Sequence, residues 1–405
     1  MKYIVLIIYV LISLLPVSAS GKASEDEKSS QVHVESFEYT KKINSGLLGS
    51  SLLLGRRFFL KSLNPRGDFY PIYDFIKKEH RVLGRQRIQA GAFWSLAAIN
   101  LKTPSQEATD ACIRGVRFFA QHSKSDNNNG LYLVYPEVSK GETGAVALLV
   151  LGIIDLLRTD IRIDSDIRSE LKEYLDGYIK FLVSMVKEEG DLFSYYNTSD
   201  GSPMGGSPSP YSDGETLLAL VRSVKYADHP EYMDIAGKVS DTLYRMYVQM
   251  PLSVDRNSKY TRAFFSWMAL SYMELTGLDH QNTSDLTERT ISLAHWVIDE
   301  QNILKSTTNS AYFQQGLIAA WEMARLAGDK EAMQKIGYVV DRTLYKLSTW
   351  QVGNDLQNEY LIKSQAADVM SVGGIMTREN DPVLRLNIAG YQMNSVIMAL
   401  IYIYE

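Results

Sequence analysis

Three acidic residues stand where apolar segments begin. Glu142 opens ETGAVALLVLGIIDLL, and Asp213 and Glu215 sit in SPYSDGETLLALVRS, residues 209–223. Paired carboxyl groups can do acid/base work. In glycosidic cleavage one is protonated and donates to the leaving oxygen, while the other activates water or attacks. Burial raises a carboxyl pKa and the positive end of a helix lowers it, so the balance of the two sets the role. The same residues have an ordinary structural use. Ser212-Asp-Gly-Glu215 and Ser139-Lys-Gly-Glu142 both fit the capping box, in which Ser accepts from a helix-start N–H and Glu bonds back to the cap. The box has no use for Asp213, which is therefore favoured as the functional acid.

Two basic residues, Arg87 and Arg262, stand at similar helix starts, where the dipole disfavours them. Either they pair with those acids, or they meet an anionic ligand such as a uronate or a sulfated sugar. In the second case Tyr211 or Tyr391 could serve as the base of a lyase or epimerase. No metal is expected. Cys112 is the single cysteine and reads as an inert buried thiol, so neither an intramolecular disulfide nor a Cys-based zinc site can form. His80, His122, His229, His280 and His295 all fall away from the helix starts. No other cofactor is expected either. A formal net charge of −5 with no long basic stripe argues against nucleic acid as a partner.

The elements that position these residues show in the hydrophobic pattern. Residues 1–19, MKYIVLIIYVLISLLPVSA, have the charge, apolar run and small-residue site of a secretory signal; an uncleaved anchor is the alternative. The chain is expected to be exported, periplasmic or secreted, with no membrane span after signal cleavage. Residues 20–36 read as a flexible linker, and 37–405 as one domain. Within it helices of two kinds alternate. Segments such as QAGAFWSLAAI (89–99) and AGYQMNSVIMALIYIY (389–404) are apolar on nearly every face, which in a non-membrane helix means burial all round. Segments such as DIRSELKEYLDGYIKFLVSMVK (166–187) are longer, charged and amphipathic. The buried kind starts near 89, 142, 214, 262, 313 and 389, and each is preceded by one of the amphipathic kind. A helix pair recurring about every 50 residues, with loop insertions, is a repeat architecture. The expected fold is all-α: an (α/α)6 toroid of six inner and six outer helices. An open solenoid is the rival, but it would leave one flank of the inner layer exposed. GDFYPIYDF (67–75), GLYLVYPE (130–137) and GDLFSYYN (190–197) read as short rim strands before inner helices.

This alternation, with GETGAVALL and YSDGETLLAL opening inner helices, resembles the six-hairpin glycosidase-like superfamily. The resemblance covers most of 37–405 at the level of architecture. It implies a carbohydrate-active protein and leaves the reaction open among hydrolase, lyase and epimerase. In a closed toroid the inner-helix starts line one central pit. Arg87, Gln89, Tyr211, Arg262, Tyr312, Gln315 and Tyr391 are then the candidate substrate-binding residues, and Asp213, Glu215 and Glu142 the candidate catalytic acids. Hydrolysis of a poly- or oligosaccharide is the leading expectation. A glycan-binding or polysaccharide-assembly protein without catalysis is the first alternative, and a protein-binding scaffold with a filled pit the second. The oligomeric state is left open.

Overall fold

The computed structural model of the chain describes residues 39–81, 85–126, 128, 130–135, 138–278 and 282–404. The expected signal, 1–19, and linker, 20–36, lie outside the described residues, as does His280. Outer and inner helices alternate along the chain. They run α1 (Ser45–Ser62), α2 (Gln86–Lys102), α3 (Gln106–Gln121), α4 (Thr143–Leu157), α5 (Ser165–Ser184) and α6 (Pro210–Tyr226). Next comes α7 (Met233–Tyr244), which continues through a π-helical turn, Arg245–Gln249, into α8 (Met250–Val254). The series ends with α9 (Lys259–Thr276), α10 (Thr283–Asp299), α11 (Ala311–Ala327), α12 (Lys330–Ser348), the short α13 (Glu359–Lys363) and α14 (Leu386–Tyr402).

Among the described residues six helices form the inner layer: α2, α4, α6, α9, α11 and α14. Each packs on the next, and α14 packs back on α2. The ring is closed, so the protein is an (α/α)6 toroid, not a solenoid. The two helix types follow from their sequences. In α4 every residue from Thr143 to Leu156 is buried, because neighbours cover all its sides. In α3 the buried positions, among them Ala108, Ala111, Cys112, Gly115, Val116 and Phe119, follow the three-to-four spacing of a helix with one wet face. No helix among the described residues is long and apolar enough to cross a membrane.

Short strands join the helices: β1 (Ile72–Asp74), β2 (Glu79–Arg81), β3 (Ser123–Ser125), β4 (Leu131–Leu133), β5 (Lys140–Glu142), β6 (Tyr195–Asn197), β7 (Pro203–Met204) and β8 (Val383–Arg385). They form antiparallel sheets in the orders β2-β1-β8, β3-β4 and β5-β6-β7. All three aromatic stretches expected as rim strands contribute one. β5 ends on Glu142, the N-cap of α4, and β8 ends on Arg385, the N-cap of α14. The sheets therefore sit at the rim where inner helices begin.

The capping boxes expected at two inner helices do not form. In α6, Ser209 is the N-cap and accepts from Ser212 N, with Pro210 in the first turn. Proline suits that position because its ring presets φ and its missing N–H is not needed there. The helix thus begins three residues earlier than the box requires, and Glu215 lies too deep in it to reach the cap. At α4, Glu142 is itself the N-cap and makes no side-chain capping bond.

The opposite ends of the inner helices are tied by buried charges. Arg222 of α6 meets Glu274 of α9 at 2.9 Å and Asp155 of α4 at 3.4 Å. Lys225 lies 2.8 Å from the other oxygen of Glu274, to which the Tyr226 hydroxyl also donates. Cations in the last turns suit the negative helix ends. Asp155 also accepts from Trp94 Nε1 at 3.0 Å, which connects this network to the wall of the central pit.

Candidate functional site

The six inner-helix starts enclose a pit of about 840 Å³, within the size range of small-molecule sites. Every inner helix contributes. Arg87 and Trp94 come from α2, Glu142 from the α4 cap, and Tyr211 and Glu215 from α6. From α9 come Lys259, Arg262 and Trp267; Tyr312 comes from α11, and Tyr391 and Asn394 from α14. Helical periodicity explains the selection. Tyr211 and Glu215 are four apart and share a face, as do Tyr391 and Asn394, three apart.

Glu215 is 1% exposed. Arg87 reaches it from α2 past the start of α4, with Nε and one terminal nitrogen each 2.8 Å from Oε1. Burial pushes the Glu215 carboxyl up to about 7, against the pull of the Arg87 guanidinium; Glu142 and Asp213 add to the rise. Its second oxygen, Oε2, is buried without a hydrogen-bond partner. That oxygen lies over Gly144 of α4, where a Cβ would come within 2.3 Å of it. Glu142 is half-buried, and its carboxylate makes no hydrogen bond or ion pair with the described residues. Its backbone N–H donates to Gln86 Oε1 at 3.1 Å, which fixes the cap to α2.

Aromatic rings make up much of the wall. Tyr211 stacks over Arg87 at 5.1 Å and lies 5.4 Å from Tyr312, which is 5.4 Å from Tyr391. The Tyr312 hydroxyl donates to Ala263 O at 2.5 Å. Trp94 and Trp267 face each other at 5.7 Å between centroids. Trp94 Nε1 is engaged by Asp155, whereas Trp267 Nε1 and both amide atoms of Asn394 are buried without partners.

Of the residues singled out from the sequence, Arg87, Tyr211, Arg262, Tyr312, Tyr391, Glu142 and Glu215 come together in the pit. Three do not line it. Asp213, favoured above as the functional acid, is buried on the other side of α6, where Ser194 Oγ donates to Oδ1 at 2.7 Å and the Tyr247 hydroxyl donates to Oδ2. The reason is rotation: residues two apart in a helix point about 200° apart, so Asp213 and Glu215 cannot share a face. Burial pushes the Asp213 carboxyl up to about 6, against those two hydrogen bonds. Gln89 is also buried, two residues from Arg87. Its amide accepts from Phe69 N at 2.8 Å and donates to Phe69 O at 2.9 Å, which pins the loop before α2. Gln315 is 1% exposed inside the α11 packing and takes no part in the pit lining.

Trp94, Trp267, Lys259 and Asn394 are pit residues that the sequence reading missed. The signal was present for the first, third and fourth. Trp94 lies seven positions from Arg87, Lys259 three from Arg262 and Asn394 three from Tyr391, each on the face of a residue already singled out, whereas Trp267, five positions from Arg262, does not share that spacing.

No protein-family model matches the chain, and no curated protein sequence matches it. Solved structures do. A D-mannose isomerase superposes with a TM-score of 0.61 at 12% identity, covering 90% of this chain and 99% of that one. A sugar epimerase from a ruminal bacterium gives 0.61 at 9% identity, over 87% and 98% of the two chains. A family 76 glycoside hydrolase (mannosidase) from Bacteroides thetaiotaomicron gives 0.55 at 11%, over 87% and 98%. At such identities the likeness is one of fold, and the fold is the six-hairpin (α/α)6 toroid.

Proposed function

We propose that the pit is the active site of a carbohydrate-processing enzyme, and that its reaction is glycoside hydrolysis with Glu215 as general acid and Glu142 as the second carboxylate. The observation that carries this reading is the asymmetry of the two groups. Glu215 is buried, with a pKa pushed up to about 7, so a large fraction holds a proton at neutral pH. Glu142 is half-buried and unpaired among the described residues, free to act on water or on the sugar. Environments that separate two carboxyls in this way support an acid and a base in one site. Arg87 fixes the orientation of Glu215 through Oε1. The Tyr and Trp walls offer flat apolar surface for sugar rings, and the amide of Asn394 offers hydrogen bonds for hydroxyls. Solved proteins with this fold carry names of sugar enzymes, which supports a saccharide as substrate. The pattern of residues 1–19 supports action after export, which N-terminal sequencing of the mature protein checks: it should begin just after Ala19.

The test is reducing-end release from a panel of oligosaccharides. Glu215→Gln and Glu142→Gln should each lower turnover by about 10²–10⁴-fold, with affinity measured by calorimetry little changed. Full turnover in Glu215→Gln would sink the assignment. One observation favours a second reading, glycan binding without turnover: both contacting nitrogens of Arg87 converge on Glu215 Oε1, an arrangement that favours the ionised carboxylate. Wild-type protein that binds a saccharide and cleaves none of the panel would support that reading.

A further inference from the structure

We infer that the saccharide taken by this pit is acidic, with its oxyanion held at the α9 start by Lys259 and Arg262. The inference rests on the carbohydrate reading above and names the class of sugar. It starts from charge. The chain carries a formal net charge of −5, yet the pit is lined by Arg85, Arg87, Lys259 and Arg262 against only Glu142 and Glu215. Arg87 is paired with Glu215. Arg85, Lys259 and Arg262 are exposed and have no acidic side chain within ion-pair distance among the described residues.

Helix ends deepen the imbalance. Lys259 and Arg262 both lie in the opening turns of α9, three positions apart and on one side, and Arg85 is the N-cap of α2. The first turns of α2, α9, α11 and α14 carry no acid. The positive ends of these helix dipoles add partial positive charge at the same rim. Like charges around one concavity repel, and a low-dielectric wall concentrates the field, so an entering anion relieves the repulsion and is drawn to the site. The Arg262 fork and the Lys259 ammonium together suit a carboxylate or an ester sulfate.

A second observation, independent of charge, fits a ligand that is polyhydroxylated and not a simple anion. Asn394 is 7% exposed and lines the pit, yet neither its amide nitrogen nor its oxygen has a partner. Trp267 Nε1 is likewise buried and unpartnered. An inorganic anion at the rim would leave these groups unsatisfied. A sugar bearing an acidic substituent satisfies both sets at once, with hydroxyls at Asn394 and Trp267 and the oxyanion at Lys259 and Arg262.

The test is titration calorimetry on the full chain with three probes: trigalacturonate, its carboxyl-reduced neutral counterpart, and a sulfated carrageenan tetrasaccharide. An acidic probe should bind about tenfold or more tightly than the neutral one at low salt. The advantage should shrink as ionic strength approaches about 0.3 M, because screening weakens exposed pairs. Tighter binding of the galacturonate assigns a carboxylate, and of the carrageenan a sulfate. A Lys259→Met/Arg262→Met double variant should abolish the advantage with affinity for the neutral probe changed less than about threefold. Both side chains are exposed, so the fold should survive, and circular dichroism checks it. Equal affinity for acidic and neutral probes overturns the acidic inference, and a preference that persists in the double variant overturns its placement at Lys259 and Arg262; either result leaves the carbohydrate reading standing. Binding of no probe overturns both.

Discussion

At the scale of single residues, Glu215 and Asp213 are two carboxyls in one helix with opposite surroundings. Glu215 faces the pit and meets Arg87; Asp213 faces Ser194 and Tyr247 behind it. If Glu215 is the acid, turnover depends on its protonated form, so the rate should decline as pH rises through about 7. A pH–rate profile without that basic limb would exclude Glu215 as the donor. Asp213 should behave as a structural group. Asp213→Asn should cost about 1–3 kcal/mol of stability, read by urea unfolding, and leave saccharide affinity unchanged. Its pH signature has a definite sign. The folded pKa of about 6 exceeds the ordinary value of 3.8, so the folded state binds the proton more tightly. The stability this contributes is full below about pH 4 and is lost as pH rises through 6; the asparagine variant should lack that slope. The spacing of Asp213 and Glu215 already implied that only one could face the pit. Which one did so depended on where α6 sits against α4 and α9.

At the scale of elements, the site is held by close approach between neighbouring inner helices. Gly144 opens α4 against α6, and a Cβ there would meet Glu215 Oε2 at 2.3 Å and the Ser212 backbone at 2.8 Å. Ser212 Oγ accepts from Gly144 N at 2.7 Å, so the contact is also a hydrogen bond between helix starts. Gly144→Ala should push α4 from α6, destabilise the protein by about 1–3 kcal/mol, and weaken ligand binding by displacing Glu215. Thermal unfolding and calorimetry measure the two effects, and an alanine variant with wild-type values in both would show that the contact is slack. The π-helical turn at Arg245–Gln249 has a local purpose of the same kind. It inserts an extra residue into the outer helix and includes Tyr247, which donates to Asp213.

At the scale of the molecule, closure matters most. Because α14 packs on α2, no inner helix has a bare flank, and the long segment between α12 and α14 is tied to α1 by Gln351, which accepts from Ser51 Oγ and donates to Ser51 O. Gly373 of that segment, with φ +91°, stands where a Cβ would lie 1.8 Å from Leu54 O, so the backbones meet without room for a side chain. Each repeat thus has two inner neighbours, and unfolding should be one cooperative transition. The calorimetric and van't Hoff enthalpies should agree. Removal of residues 386–404 should abolish that transition and expose apolar surface to a hydrophobic dye. A truncated chain that melts sharply would mean that the ring is dispensable.

Much of this organisation was legible without coordinates. All-round apolarity marked α2, α4, α6, α9, α11 and α14 as inner helices, because complete burial is written in each helix's own residues. The residue types gathered at their starts, and hence seven pit residues, followed from that alone. Other features lay beyond a local pattern. Ser209 and Pro210, not Ser212, begin α6, a choice between neighbouring caps of similar strength. Asp213 and Gln89 were set to bracing neighbouring elements by the rotation of their helices. The pairing of Arg87 with Glu215 joins residues 128 positions apart, through the packing of α2, α4 and α6 around the ring. The sequence by itself determined which helices are buried and which polar groups stand at their ends. Only the closed tertiary packing decided which of those groups face the shared pit, because that depends on the rotation of each helix against its neighbours and not on its composition.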